Sequence, residues 1–144
     1  MTRFFKTLLL LACAVLPVLP ARATVDDALS YTLEAAQPYV KEGFTVREDY
    51  WGGDMAVSQP KAITQQLFKG NEYWFWMGTD VKGARISVHI YDSEGNLCEV
   101  ESWQKGQLAS ARVVPKRSGT YYVIVEIEKT SRERTHWGMA YGFR

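Results

Sequence analysis

The 144-residue chain has only two cysteines and two histidines, and these shortages argue against several kinds of protein. Cys13 lies in the N-terminal apolar stretch, so Cys98 is the single thiol of the rest of the chain and we expect no internal disulfide there. His89 and His136 belong to no Cys/His cluster with metal-ligand spacing, so a zinc site is not predicted. No Gly-x-Ser-x-Gly segment is present, so the sequence lacks that nucleophile motif of hydrolases.

The chain also lacks an excess of either charge. It has 17 Lys and Arg residues against 16 Asp and Glu residues, with a formal net charge of +1. A nucleic-acid partner would require a basic stripe, and the two signs are instead interspersed. No polybasic segment follows the N-terminal apolar stretch, so electrostatic attraction to an anionic membrane is not expected.

No apolar run is long enough to span a bilayer, but a short one lies near the N-terminus. Thr7–Val18 is nearly all apolar and is interrupted by proline. It follows Arg3 and Lys6 and precedes Ala21-Arg22-Ala23, a small-x-small cleavage pattern. This arrangement predicts a secretory signal peptide over residues 1–23. We therefore expect export to the periplasm or the extracellular space, without membrane insertion after cleavage.

Each cysteine leaves an alternative open. Leu10-Leu11-Ala12-Cys13 partly resembles a lipobox, which would make Cys13 a lipid anchor. The bulky Leu11 and the short apolar run before Cys13 favour ordinary cleavage instead. Cys98 alternates with Val100 on a predicted strand, which favours a buried thiol, and an intermolecular disulfide is the alternative.

Residues 24–43 are predicted to form an amphipathic helix. Asp26 and Asp27 fall in its first turn, where negative charge suits the helix dipole. Pro38 predicts an end or a kink, and Gly43 predicts the final stop. Four apolar residues recur at helical spacing and form the predicted buried stripe: Leu29, Leu33, Ala36 and Val40.

From residue 44 onward the hydrophobic pattern changes to alternation with a period of two, which predicts one β domain over residues 44–144. Short strands at regular spacing, with turn residues between them and no helical crossover, are typical of an antiparallel β-sandwich. Trp51–Asp54 contains two glycines and is predicted to be a loop. The predicted strands are 44–50, 61–68, 72–79, 85–91, 97–102, 108–114, 120–128 and 135–143.

Three segments occur in an order that resembles a known family. They are Gly70–Phe75, Ile86–Leu97 and Ser118–Val123. Over roughly residues 61–144 the chain resembles the bacterial pre-peptidase C-terminal domains and their jelly-roll relatives. The resemblance implies an all-β, jelly-roll-like antiparallel β-sandwich preceded by a short helix, and a non-catalytic role.

The same resemblance has consequences for individual residues. It implies that Tyr73, Phe75 and Met77 face the core between the sheets. Asp80 and Asp92 are kept, but Arg85 stands where a further acidic residue is common, which puts an acidic-loop metal site in doubt.

Oxygen-bearing side chains form two further patterns. Glu99 and Glu101 lie on one predicted strand face, where paired carboxylates can act as acid and base, although alternating charges on a solvated face are commoner. Together with His89 they are the candidates for a small exported hydrolase. Asp92, Glu94 and Asn96 alternate in one turn and are weak candidates for calcium, although these residue types also form turns. No cofactor is predicted.

The five tryptophans are the most suggestive feature of the sequence. Trp74 and Trp76 alternate with the core-facing residues and so face outward, where they can stack on a sugar or a partner, or lie under the N-terminal helix, which we favour. Trp51 on its predicted loop and Trp103 after a predicted strand are better placed for exposure. The candidate ligand-binding residues are therefore Trp51, Trp74, Trp76 and Trp103.

These observations together predict an exported, non-enzymatic binding or interaction module with an unknown protein or polysaccharide partner. Two alternatives are open: a carbohydrate-binding module that uses the exposed tryptophans, and the small exported hydrolase.

Overall fold

The computed structural model describes residues 25–144, and the predicted signal peptide with Cys13 lies outside the described residues. One helix and eight strands follow each other along this part of the chain. The helix is α1 (Val25–Lys41). The strands are β1 (Thr45–Met55), β2 (Lys61–Leu67), β3 (Tyr73–Thr79), β4 (Arg85–Tyr91), β5 (Glu101–Lys105), β6 (Leu108–Val113), β7 (Gly119–Lys129) and β8 (Thr135–Phe143).

The strands form two antiparallel sheets. The larger sheet has the order β1-β8-β3-β6-β5 and the smaller has the order β2-β7-β4. Strands β1 to β4 alternate between the sheets, as do β6 to β8, which gives a jelly-roll-like sandwich. The predicted all-β sandwich with a short helix before it is confirmed. None of the helices described over residues 25–144 is long and apolar enough to cross a membrane.

The core lies between the sheets and is filled by side chains that alternate along the strands. On β4 the alternating residues Ile86, Val88 and Ile90 are buried, and so is the small Ser87 between two of them. On β3 the expected core residues Tyr73, Phe75 and Met77 belong to the same buried cluster. β8 adds Trp137, Met139 and Tyr141, with Phe143 partly buried against them. Every second side chain along these strands therefore faces the other sheet.

Helix α1 lies on the outer face of the larger sheet and buries small residues. Its buried residues are Ala28, Thr32, Ala35 and Ala36. The predicted stripe is wrong at two positions, because Leu33 and Val40 are each 43% exposed. Over its N-terminal half, from Val25 to Thr32, the helix packs too close to the sheet for long side chains to fit between them.

A row of glycines explains this close packing. Gly52, Gly138 and Gly78 are paired in register across β1, β8 and β3. A Cβ atom added at Gly78 would lie 2.7 Å from the backbone nitrogen of Thr32, and one added at Gly52 would lie 2.5 Å from Cγ1 of Val25. Because these glycines have no side chains, the helix backbone packs directly on the sheet there.

The C-terminal half of α1 continues through Pro38 and ends at Lys41, so of the two alternatives expected at Pro38, an end or a kink, the end is wrong. Tyr39 lies beyond that proline, and its ring packs 4.6 Å from Trp74 and 5.6 Å from Trp76, measured between ring centroids. This packing holds the last turn in place despite the hydrogen bond that proline cannot donate.

The predicted stop at Gly43 is confirmed. Gly43 has a φ of 98°, its N–H donates to the carbonyl of Val40 at 3.1 Å, and the N–H of Phe44 donates to Tyr39 at 3.1 Å. This pair of bonds is the Schellman arrangement of a helix end.

Two strand predictions are corrected by the structure. Trp51–Asp54 is part of β1 and not a loop, because Gly52 is needed for contact with the helix and not for a turn. The predicted strand 97–102 changes sheets in its middle. Leu97 and Cys98 pair with β4. The N–H of Val100 donates instead to the carbonyl of Arg112 on β6, and from there β5 continues along β6.

Candidate functional site

The structure buries two of the four candidate tryptophans. Trp74 is 3% exposed and Trp76 is fully buried, in a cluster with Ala35, Ala36 and Phe44. The favoured alternative, cover by the N-terminal helix, is the observed arrangement. These two rings present no free face on which a ligand could stack.

The other two candidates are half-buried and have structural contacts. Trp51 lies on β1 and packs against Tyr141, with ring centroids 5.6 Å apart. Trp103 lies in the middle of β5, not after a strand, and its Nε1 donates to the hydroxyl of Tyr39 at 2.8 Å. The structure therefore does not bring the four tryptophans together into one surface.

The acidic turn after β4 stabilises its own backbone. One carboxylate oxygen of Asp92 accepts the N–H groups of Glu94 and Asn96, each at 2.9 Å. These hydrogen bonds, above all the one from the Asn96 N–H, hold the pKa of Asp92 below its ordinary value. Within residues 25–144 no group of three or more His, Cys, Asp or Glu side chains is arranged to hold a metal ion.

Glu99 and Glu101, the two glutamates of the hydrolase hypothesis, contact different sheets. Glu99 is buried, with 8% of its side chain exposed, and its carboxylate lies 2.8 Å from Nδ1 of His89 and accepts the N–H of Ile90 at 2.8 Å. Glu101 instead accepts from Nε of Arg112 at 3.0 Å. Because the chain changes sheets between them, the expectation that they share one strand face is wrong.

The sandwich opens between β1 and β2, which are edge strands of the larger and the smaller sheet. We call this opening, of about 240 Å³, the edge pocket. Its aromatic lining consists of Phe68, Tyr73, Tyr141 and Phe143. Phe68 is 53% exposed, so its ring is accessible at the mouth.

Two phenol groups line the edge pocket. The hydroxyl of Tyr73 accepts from the Phe68 N–H at 3.0 Å and from Nδ2 of Asn71 at 3.1 Å. The hydroxyl of Tyr141 accepts from Nε2 of Gln65 at 3.0 Å. Among the described hydrogen bonds neither phenol donates its own proton, so both protons are available to a ligand. Burial raises the pKa of Tyr141 above its ordinary value.

An irregularity in β1 brings two charged residues to the same opening. Val46 pairs with Gly142 and Tyr50 pairs with Ala140, so four steps along β1 match two steps along β8. The extra residues leave the ladder, as in a β-bulge, and the side chains of Arg47 and Asp49 line the pocket. The guanidinium carbon of Arg47 lies 5.9 Å from the centroid of the Phe143 ring.

Sequence reasoning missed this pocket. Alternation along residues 135–143 puts Tyr141 and Phe143 on the same strand face, and in the structure that face belongs to the core. The alternation pattern gave no sign that the core opens to solvent beside them. The charged run Arg47–Asp49 was the one available signal, since it interrupts the apolar alternation of β1.

Two comparisons with known sequences were without a match. No family model matches the chain, and no curated protein matches it. The resemblance to the pre-peptidase C-terminal domains stays a prediction.

Proposed function

We propose that this chain is an exported, non-catalytic binding module whose edge pocket holds a neutral, polyhydroxylated ligand such as a sugar ring. The observation that carries the proposal is the irregularity in β1, which places Arg47 and Asp49 over an aromatic-lined opening. Bulges of this kind often re-aim side chains at functional sites.

The chemistry of the pocket suits hydroxyl groups. Each hydroxyl of a sugar both donates and accepts, so its site needs donors and acceptors close together. Tyr73 and Tyr141 supply free phenol protons, Arg47 supplies guanidinium donors, and Asp49 supplies an acceptor.

An apolar surface for the ring is also present. The exposed ring of Phe68 stands at the mouth, where it can stack on the C–H face of a sugar. At about 240 Å³ the pocket lies below the range of roughly 300–1,000 Å³ usual for drug-sized ligands, so a single small ring is the fitting size.

Affinity electrophoresis tests the ligand class. The purified chain is run in native gels that contain laminarin, hydroxyethylcellulose, xylan or galactomannan, and we expect at least one polysaccharide to retard it. Arg47→Ala and Phe68→Ala should each weaken that retardation about tenfold, as expected for the loss of about 1.4 kcal/mol. Unchanged circular dichroism will show that both variants are folded.

Matched controls lie away from the pocket. Arg132→Ala removes an exposed arginine from the loop after β7, and Tyr122→Ala removes a partly exposed aromatic residue from the outer face of the smaller sheet. Both should be retarded like the unmodified chain. Absence of retardation by all four polysaccharides, or equal loss in the controls, contradicts the proposed ligand and site.

The export half of the proposal has its own test. Expression with the natural N-terminus in a Gram-negative host, followed by mass spectrometry of the periplasmic fraction, should show a chain that begins at Thr24. A cytoplasmic chain that keeps residues 1–23 contradicts export.

A further inference from the structure

The opposite side of the sandwich has an opening of its own, between β4 and β5, the other edge strands of the smaller and the larger sheet. We call this opening, of about 440 Å³, the side cleft. None of the described residues lines both the side cleft and the edge pocket, and the inner strands of both sheets lie between them. Binding in the side cleft therefore does not depend on sugar binding at the edge pocket.

Strand β4 directs the backbone groups of alternate residues towards the side cleft. In an antiparallel pair every second residue points both its N–H and its C=O away from the partner strand. On β4 these residues are Ile86, Val88 and Ile90, since the carbonyl of Ile86 and both groups of Ile90 form hydrogen bonds on the side away from β7.

The chain itself closes this strand edge at both ends of the cleft. At one end, Nε2 of Gln104 donates to the carbonyl of Ile86 at 2.7 Å. At the other end, the carboxylate of Glu99 accepts the N–H of Ile90 at 2.8 Å, and the N–H of Cys98 donates to the carbonyl of Ile90 at 2.9 Å. Natural proteins often block unpaired strand edges against other chains. Only the residue midway between these two ends is left open.

That residue, Val88, has an unpaired donor and an unpaired acceptor at the cleft. Over residues 25–144 no protein group is hydrogen-bonded to its N–H or its carbonyl on this side. Val88 is 2% exposed and its side chain belongs to the core, so its backbone is the part that lines the cleft. Buried backbone groups are almost always paired in native proteins, so these two need a partner from outside the chain.

The hydroxyl of the preceding residue also lacks a partner. Ser87 lines the cleft and is 1% exposed, and its Oγ is buried without a hydrogen bond in the described part of the chain. The charged groups at the cleft are instead paired, Glu128 with Arg85 at 2.9 Å and His89 with Glu99 at 2.8 Å. The cleft therefore offers neutral donors and acceptors to a ligand, and not a free charge.

We propose that the side cleft binds one residue of an extended peptide, which forms a β-bridge with Val88. The N–H of the bound residue donates to the carbonyl of Val88, and its C=O accepts from the N–H of Val88, as in a hydrogen-bonded pair of an antiparallel ladder. Because the edge is closed at Ile86 and at Ile90, the ladder does not extend further, so the site suits a short peptide and not a whole added strand. The hydroxyl of Ser87 is available to a polar group of the same ligand.

An NMR titration of the isotope-labelled chain with N-acetylalanine N′-methylamide tests the proposal. This small probe carries both the N–H and the C=O of one peptide residue. We expect the amide signal of Val88 to move downfield and to saturate with a Kd of millimolar order or tighter, while the signals of residues that line the edge pocket stay in place. The same probe methylated on the alanine nitrogen lacks the donor. It should bind at least tenfold more weakly, because the carbonyl of Val88 stays unpaired.

A variant that fills the cleft gives a second test. Ser102 is an exposed lining residue on β5, so Ser102→Phe should abolish the shift of the Val88 signal. Thr64→Phe is the matched control on β2, outside the lining of both openings, and should bind the probe as the unmodified chain does. Unchanged circular dichroism will show that both variants are folded.

Three results overturn the proposal. The first is a Val88 signal that does not move, as expected if water alone fills the cleft. The second is equal affinity for the probe and its N-methylated form. The third is probe binding that survives Ser102→Phe. None of these results bears on the retardation by polysaccharides, so the two proposals fail independently.

Discussion

Gly78 on β3 lies directly beneath Thr32 of the helix, so close that an added Cβ would stand 2.7 Å from the Thr32 nitrogen and 2.8 Å from its hydroxyl oxygen. The hydroxyl of Thr32 is shared between two acceptors at 3.0 Å, the carbonyl of Ala28 in its own helix and the carbonyl of Gly138 on β8. One residue thus joins the helix to the sheet at the place where glycine lets them meet.

Gly78→Ala should destabilise the chain by about 1–3 kcal/mol, because the methyl group meets helix backbone that cannot move without losing its packing. Urea unfolding followed by circular dichroism measures this change. Gly119→Ala is the control, since its Cβ would have nothing within 4 Å, and it should change stability by less than about 1 kcal/mol. Equal stability of the two variants would falsify the close contact.

Thr32→Val should cost about 1–3 kcal/mol, because a buried carbonyl loses its donor while the shape of the side chain is kept. The same urea titration is used. Thr64→Val on the exposed face of β2 is the matched change and should stay within roughly 0.5 kcal/mol of the unmodified chain. A Thr32→Val variant as stable as this control would show that the hydrogen bond across to Gly138 contributes nothing.

Glu99→Ala should destabilise the fold more than Glu101→Ala, although both remove a carboxylate from an ion pair. Loss of Glu99 leaves the N–H of Ile90 without its acceptor, at a cost of about 1–3 kcal/mol. Glu101 is 53% exposed, and its pair with Arg112 is worth less than about 1 kcal/mol. Thermal melts of both variants at pH 7 rank them, and the opposite order contradicts the role of Glu99 at the sheet change.

Cys98 should react slowly with alkylating agents in the folded chain. Burial, together with the carboxylates of Asp92 and Glu99, raises the pKa of its thiol from 9.0 to about 11. Since only the thiolate reacts, iodoacetamide at pH 8 should modify the folded chain about a hundredfold more slowly than the urea-unfolded chain. Similar rates in the two states contradict the raised pKa.

The same shift predicts how stability depends on pH. A pKa that is higher in the folded state means that the folded chain holds the proton more tightly, so this contribution is fully present below pH 9 and is lost as the pH rises towards about 11. Urea midpoints between pH 8 and 11 should therefore fall less for Cys98→Ser than for the unmodified chain. Parallel curves for the two proteins count against the thiol as the cause.

The sequence by itself determined which strand residues form the core and where the helix ends. Alternation along β4 marked Ile86, Val88 and Ile90 as core, and Gly43 marked the end of the helix, because both signals are local. The burial of Trp74 and Trp76 under the helix was also within reach, since two apolar surfaces next to each other in the chain needed cover.

Only the tertiary structure decided which strands and helix faces meet. Gly52 and Gly53 indicated a loop, yet the backbone there is a strand. Gly52 pairs with Gly138 on β8, and helix α1 packs on both glycines. The sequence pattern likewise does not show that the chain changes sheets near Glu99 or that Arg47 lines the edge pocket. Alternation with a period of two indicates which face of a strand a residue lies on, but not which strand pairs with it. The edge pocket depends on those partners, so it exists only once the two sheets are packed.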